Sequence, residues 1–334
     1  MTTEGVLRVL DGMYREGASE PQSLDIVVTR HDVFDEAAFR STGVLELYEE
    51  LFPASERDSP DDIGRWLLSD DVGERRRFSV GGHEMSYRLD SRCFILRAGA
   101  GRAVGLGFFT YDHASDLIFC NHVGIAKAWR GGGLARAFYR EVVAMLDALF
   151  PNNIGVVLEV EPFDRDRMAA IIADLERTGR RQLATDERDE IRRLLRASWY
   201  HKLDYSVFCD ARTMRPLACR SPCLDPSPPS SDWVGGEESY WLMWQARTGA
   251  ASAELRAGQL WHKAATAIYV EILAKSLVAA DPNGRRGYWD YATALVGQTL
   301  QRTAVADVRL ARCLGDDDAA LLSRWRRLAI DLPI

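Results

Sequence analysis

The chain has 334 residues, 47% of them hydrophobic and 27% charged, with a formal charge of −7 at neutral pH. That length and apolar content bury a large core and suit one domain with a substantial extension, or two domains. A net negative chain has no general affinity for nucleic acid or anionic membranes, and the sequence shows neither an apolar leader nor the ~20 apolar residues that cross a bilayer, so a cytoplasmic protein is expected.

Residues 1–22 read as an N-terminal arm with a short helix around 6–14. Leu24-Asp-Ile-Val-Val-Thr-Arg30 has the β-branched content of a strand. Phe39, Val44, Leu47, Tyr48 and Leu51 recur at helical spacing over 34–52, and 60–68 suggests a second helix. Strands at 78–80, 91–97 and 103–111, punctuated by Gly81-Gly82 and Gly99-Ala-Gly101, form an antiparallel run. A strand over 116–125 then leads through Arg130-Gly-Gly-Gly-Leu-Ala135 into a helix that ends at Pro151-Asn-Asn. Residues 154–160 are a nearly continuous apolar strand of the kind buried on both faces. Two charged helices, at 165–179 and 186–198, precede a β-rich run that ends at 208. Beyond it come a short strand at 215–220, a proline- and serine-rich linker at 222–233, a strand at 240–245, and helices over 253–279, 288–313 and 318–328.

The six cysteines show no Cys-x-x-Cys pair, so reduced, mostly buried thiols are expected. Cys219 and Cys223 lack matched histidines, and the remaining histidines lack ligand spacing; no metal is expected.

The Gly-rich turn carries the clearest chemistry. A helix begins with unpaired N–H groups at the positive end of its dipole, and glycines there let a pyrophosphate approach the backbone. The cradle comprises Gly131, Gly132, Gly133, Leu134, Ala135 and Arg136, with Arg130 adding charge. It is neither a Walker loop nor Gly-x-Gly-x-x-Gly, which disfavours mononucleotide and dinucleotide sites. Arg130-Gly-Gly-Gly-Leu-Ala135 instead resembles the Arg/Gln-x-x-Gly-x-Gly/Ala motif of the GCN5-related N-acetyltransferase (GNAT) superfamily. The element order over about 24–208 is similar to that family's as well. The resemblance implies an α/β (α+β) GNAT fold: a central mixed, mostly antiparallel sheet flanked by helices, at 23–209, with a helical insertion at about 165–197. Residues 210–334 then form a mainly helical C-terminal appendage that packs on the core, shapes an acceptor pocket or makes a homodimer. It also implies acetyl-CoA or another acyl-CoA as co-substrate, no metal, and a small-molecule or peptide amine as acceptor.

Acyl transfer needs a held donor, a polarised thioester, an unprotonated amine and a proton for the leaving thiolate. By the resemblance, backbone groups of Val123, Gly124 and Ile125 bind the pantetheine arm and the acyl oxygen. Leu158-Glu159-Val160 resembles the Leu-Glu-Val of ribosomal-protein N-acetyltransferases, which makes Glu159 the first candidate base. The alternative is a strand carboxylate paired with Arg or Lys; Glu161 is a second candidate by alternation. Related arylalkylamine acetyltransferases carry histidines on the strand before the cradle, so His122 is a third candidate. Those histidines match Asn121 and Phe119 better, which puts His122 on the opposite face unless a bulge intervenes.

Tyr200 is the candidate acid. Trp199-Tyr200-His-Lys-Leu-Asp-Tyr205 resembles the family's Tyr-x-x-x-Gly-Phe sequence, with Asp204 where glycine is usual. The competing register, Leu175-Glu-Arg-Thr-Gly179, keeps the glycine but loses the tyrosine. Tyr200 otherwise caps the core beside Trp199 and Tyr205. Two further readings stay open: a GNAT-fold acyl-CoA decarboxylase, and a non-catalytic CoA-binding regulatory module.

Overall fold

The computed structural model describes residues 5–13, 22–28, 36–52, 57, 63, 67, 75–98, 102–130, 132–223, 233, 237–247 and 255–330. The architecture is mixed α/β, with antiparallel strands flanked by helices and further helices towards the C-terminus. The chain divides into two compact units, Met1–Ile154 and Gly155–Ile334.

The first unit is built on strands β1 (Gly5–Met13), β2 (Gln22–Val28), β5 (Leu89–Ala98), β6 (Ala103–Asp112) and β7 (Leu117–Ile125), paired antiparallel in that order. Strands β3 (Arg76–Val80) and β4 (His83–Tyr87) make a separate hairpin over the expected Gly81-Gly82 turn. The helical spacing over 34–52 resolves into α1 (Glu36–Ser41) and α2 (Val44–Leu51), broken at Gly43. Helix α3 (Leu134–Leu149) follows the glycine turn.

Every residue of β6 is buried, because both of its faces are covered. Phe108 faces α2, its ring 5.6 Å from that of Tyr48, while Phe109 faces α3, 6.3 Å from Tyr139. The helix expected around 6–14 is instead strand β1, with Arg8 opposite Ile26 and Leu10 opposite Leu24. A short helix is marginal alone, whereas the free edge of β2 offers a ladder of backbone donors and acceptors. The helix expected over 60–68 lies outside the described residues except for Ile63 and Leu67, which are buried in the α1–α2 core. The Gly99-Ala-Gly101 turn also lies outside them, as does most of the 222–233 linker.

The second unit contains β8 (Gly155–Val160), helices α4 (Arg165–Thr178) and α5 (Thr185–His201), β9 (Ser206–Asp210), β10 (Ala218–Ser221) and β11 (Glu238–Ala246). After these come α6 (Ala257–Thr266), a π-helical stretch (Ala267–Ala274), α7 (Lys275–Ala280), α8 (Arg286–Gln301), β12 (Val308–Arg312) and α9 (Asp316–Leu328). The strand order is β8-β11-β9-β12, with β10 on β11. Strands β8 and β9, joined through α4 and α5, run the same way, and β11 enters between them antiparallel to both. A strand from beyond residue 209 therefore completes the ladder. Gly155 permits its close approach: a Cβ there would sit 2.4 Å from the carbonyl oxygen of Gln245.

The helix expected over 288–313 stops at Gln301, and Val308–Arg312 pairs with the outer edge of β9, Leu310 opposite Phe208. Sheet pairing wins there because an exposed edge of β9 would leave backbone groups without ladder partners. Helix α9 is held to α4 by a bidentate Arg165–Asp318 pair at 2.7 and 2.9 Å, in which Asp318 is buried. All six cysteines are free thiols. Among the described residues, no helix is long and apolar enough to cross a membrane, and no group of three or more His, Cys, Asp or Glu could hold a metal ion.

Candidate functional site

Strand β7 is interrupted in the middle. Phe109 pairs with Cys120 and Phe108 with His122, so Asn121 is an extra residue. The bulge moves His122 to the face opposite Cys120, a placement that strict alternation forbids. His122 thus lies with Phe108 on the α2 side, its Nε2 3.1 Å from the Tyr48 hydroxyl and its ring 4.9 Å from that of Phe52. The bulge that the sequence left open is present, and through it His122 shares the face of Phe119. The Asn121 Oδ1 accepts a 3.0 Å bond from the Thr110 hydroxyl, and Thr110 shares the face of Phe108 by alternation along β6. Val123 and Gly124 are half-buried, and Ile125 is buried at the end of the strand.

The chain leaves β7 through a short tight turn, Lys127–Trp129, anchored by the buried Trp129. Arg130 folds back so that its Nε donates to the carbonyl of Ile125 at 3.0 Å, bracing the strand end. Gly131 lies outside the described residues. Gly132 and Gly133 have φ of 54° and 85°, in the left-handed region that β-branched residues avoid, yet nothing lies within 4 Å of where a Cβ would stand. Backbone conformation, not crowding, requires glycine at both.

Gly133 caps α3 without a side chain, and the first turn of the helix carries no acidic residue. The Leu134 side chain is buried, Ala135 is half-buried and Arg136 is exposed. The arrangement therefore offers backbone amides, the positive end of a sixteen-residue helix and a cationic side chain, which together suit a phosphorylated ligand.

Glu159 lies on β8, half-buried, and accepts a hydrogen bond from the Tyr269 hydroxyl. Burial pushes its carboxyl up to about 7; the Tyr269 bond opposes that rise and the charge of Glu238 adds to it. A group titrating near neutrality is divided between acid and carboxylate, as a general base needs. Glu161 differs in its surroundings. Arg193 and Arg196 of α5 approach it at 3.4 and 3.5 Å, so the second candidate is a strand carboxylate paired with arginines.

Tyr200 ends α5 as a buried ring, 4.8 Å from Trp199 and 5.5 Å from Tyr205. Its carbonyl accepts from the amides of Leu203 and Tyr205, closing the turn into β9. Asp204 occupies that turn with φ of 65°, a left-handed backbone state that glycine enters without a Cβ penalty. The competing register also has a left-handed residue, Gly179 at φ 68°, but α4 leads from there into another helix. Asp204 is exposed. Replacing it by glycine is therefore expected to stabilise the fold by about 0.5–1 kcal/mol, measured by urea unfolding, by relieving a left-handed non-glycine residue.

Tyr269 was not visible as a site residue. Its signal in the sequence is a single tyrosine in the helical stretch expected at 253–279, which names no partner.

No protein-family model and no curated protein matches the chain. Solved structures that it resembles include acetyltransferases, one of them described as of the GNAT family. A protein assigned to that family from Bacteroides thetaiotaomicron is 14% identical, with 71% of this chain and 96% of that one covered, at a TM-score of 0.38. The ribosomal-protein-S18-alanine N-acetyltransferase of Escherichia coli is 14% identical, covering 68% and 96%, at 0.33. Arabidopsis thaliana NAA60, in complex with acetyl-CoA, is 13% identical, covering 66% and 99%, at 0.31. Likenesses of this size assign neither substrate nor reaction.

Proposed function

We propose that the chain is an acyl-CoA-dependent N-acyltransferase, with acetyl-CoA as donor, acting on an amine of a small molecule or peptide by direct attack. The observation that carries this reading is the pair of left-handed glycines, Gly132 and Gly133, opening onto the start of α3, whose cap has no side chain, shortly after a bulged strand. A Cβ at either position would intrude on the space that such a ligand needs, and no protein atom does.

In this reading the amides of Gly131, Gly132, Gly133, Leu134, Ala135 and Arg136 hold the diphosphate, and Arg130 fixes the end of β7. Acetyl-CoA supplies the thioester-activated acyl group. Backbone groups of Val123, Gly124 and Ile125 orient the donor and polarise the acyl oxygen. Glu159 accepts the ammonium proton of the acceptor, directly or through water, and Tyr200 returns a proton to the departing thiolate. A phenol suits that last step because it delivers a proton from a neutral group within apolar surroundings. His122, held by Tyr48, is the alternative base.

The test is thiol release from acetyl-, propionyl- and malonyl-CoA against amino acids, polyamines, aminoglycosides and peptides. Amine-dependent release supports the proposal. Tight acetyl-CoA binding with no release across the panel would replace it with a binding module, and carbon dioxide released from malonyl-CoA without an acceptor would replace it with a decarboxylase.

A further inference from the structure

Glu159 and Tyr269 are 110 positions apart in the chain, yet they share a hydrogen bond. Opposite Glu159 on β11 stands Leu242, which has no polar side-chain group to offer. The donor comes instead from the C-terminal part of the chain. Tyr269 is completely buried, and it sits on the π-helical stretch Ala267–Ala274. A π-helix winds more widely than an α-helix, is rare, and is frequently found at functional sites. This one brings the Tyr269 phenol to Glu159 on β8 and to the buried thiol of Cys219 on β10.

We infer that Tyr269 is a positioning residue: its hydroxyl orients the Glu159 carboxylate and holds it in its ionised form for proton abstraction. The C-terminal segment is then a working part of the acyl-transfer machinery. The inference rests on Glu159 being the base. Burial and the charge of Glu238 on β11 favour the protonated acid, and the bond donated by Tyr269 opposes both. Tyr240, also on β11, spends its hydroxyl on Glu238. Cys219 of β10 is an un-ionised thiol whose own titration is pushed far up by burial. Glu161, further along the strand, is neutralised by Arg193 and Arg196 of α5. Among these groups it is Tyr269 that sets the balance towards the carboxylate.

Removing the hydroxyl while keeping the ring, Tyr269→Phe, is expected to raise the Glu159 titration by about one pH unit. With that group starting near 7, the ionised fraction at neutral pH falls about 5-fold, and turnover falls with it. Two readouts separate the steps. The first needs no substrate: full-length protein labelled with carboxyl carbon-13 glutamate is titrated by NMR, the Glu159 signal being assigned by its loss in Glu159→Gln. The second is the acid limb of the pH profile of thiol release from acetyl-CoA, with the amine that turns over fastest in the panel. Both should move up together in Tyr269→Phe.

Incorporating 3-fluorotyrosine at position 269, a stronger donor of nearly the same shape, should move both down, a reversal that a purely structural role cannot produce. It also serves where the phenylalanine variant folds poorly. A Glu159 signal that titrates identically with tyrosine and with either replacement would overturn the inference. A shifted titration alongside turnover indifferent to Glu159→Gln would overturn Glu159 as the base while leaving its pairing with Tyr269 intact.

Discussion

Glu159→Gln lowers acyl-transfer turnover by about 10²–10⁴-fold, the range a positioned general base supplies, while changing acetyl-CoA affinity by no more than about 2-fold. The amide keeps the shape of the carboxylate and can still accept from Tyr269, so the loss isolates proton transfer. What remains should rise steeply with pH, because the acceptor amine must then lose its proton to solvent before attack. A substrate-free measurement reads the same group. The Glu159 carboxyl titrates at about 7 in the folded protein against 4.5 ordinarily. A raised value contributes stability that is present below the unfolded value and is lost as pH climbs through the folded one, since the native state must then carry a buried charge that the unfolded chain leaves in water. Glutamine carries no such burden. Relative to wild type, Glu159→Gln should therefore gain about 2 kcal/mol between about pH 5.5 and about pH 8.5, measured by urea unfolding at both. Equal stability differences at the two pH values would show that Glu159 ionises as an ordinary exposed carboxylate, and the assignment of base would pass to His122.

Local signals carried the part of this site that was legible from the sequence. Gly132 and Gly133 between an apolar strand and a strong helix mark a turn into the helix start, and they stand there with left-handed backbones. Asp204 stood out as a departure from a glycine pattern, and its backbone adopts the glycine conformation all the same. What stayed hidden depends on partners distant in the chain. Whether Asn121 bulges is decided by the register of β6 against β7, which the alternation within β7 alone cannot encode. Residues 6–13 carry an apolar pattern that a helix could use, but the edge of β2 makes them a strand. The place of β11 between β8 and β9 follows from two strands that run the same way and leave room for a third, a relation that appears only once α4 and α5 have made their crossover. Tyr269 meets Glu159 for the same reason: helix propensity locates residues 253–279, and tertiary packing selects which of them touches a strand 110 residues earlier.

Gly133→Val is expected to weaken acetyl-CoA binding at least about 10-fold, by calorimetry, through a route that a matched control can separate from damage to the fold. At φ 85° a β-branched residue conflicts with its own backbone at a cost of about 1–3 kcal/mol. The chain can relieve that conflict only by rotating the turn, which swings the amides at the start of α3 out of convergence. It can also retain the turn, in which case the new methyl groups stand in the open space before those amides, where no protein atom comes within 4 Å of the Cβ position. Either response harms a diphosphate ligand. Gly82, in the β3–β4 hairpin, has the same φ of 85° and the same open surroundings. Gly82→Val therefore carries a matching backbone penalty with no expected change in acetyl-CoA affinity. Stability losses of similar size in the two variants, with affinity lost in Gly133→Val alone, assign the cradle to the ligand. Affinity unchanged in both would mean that the amides before α3 do not hold the diphosphate, and the acyl-CoA reading would lose the observation on which it stands.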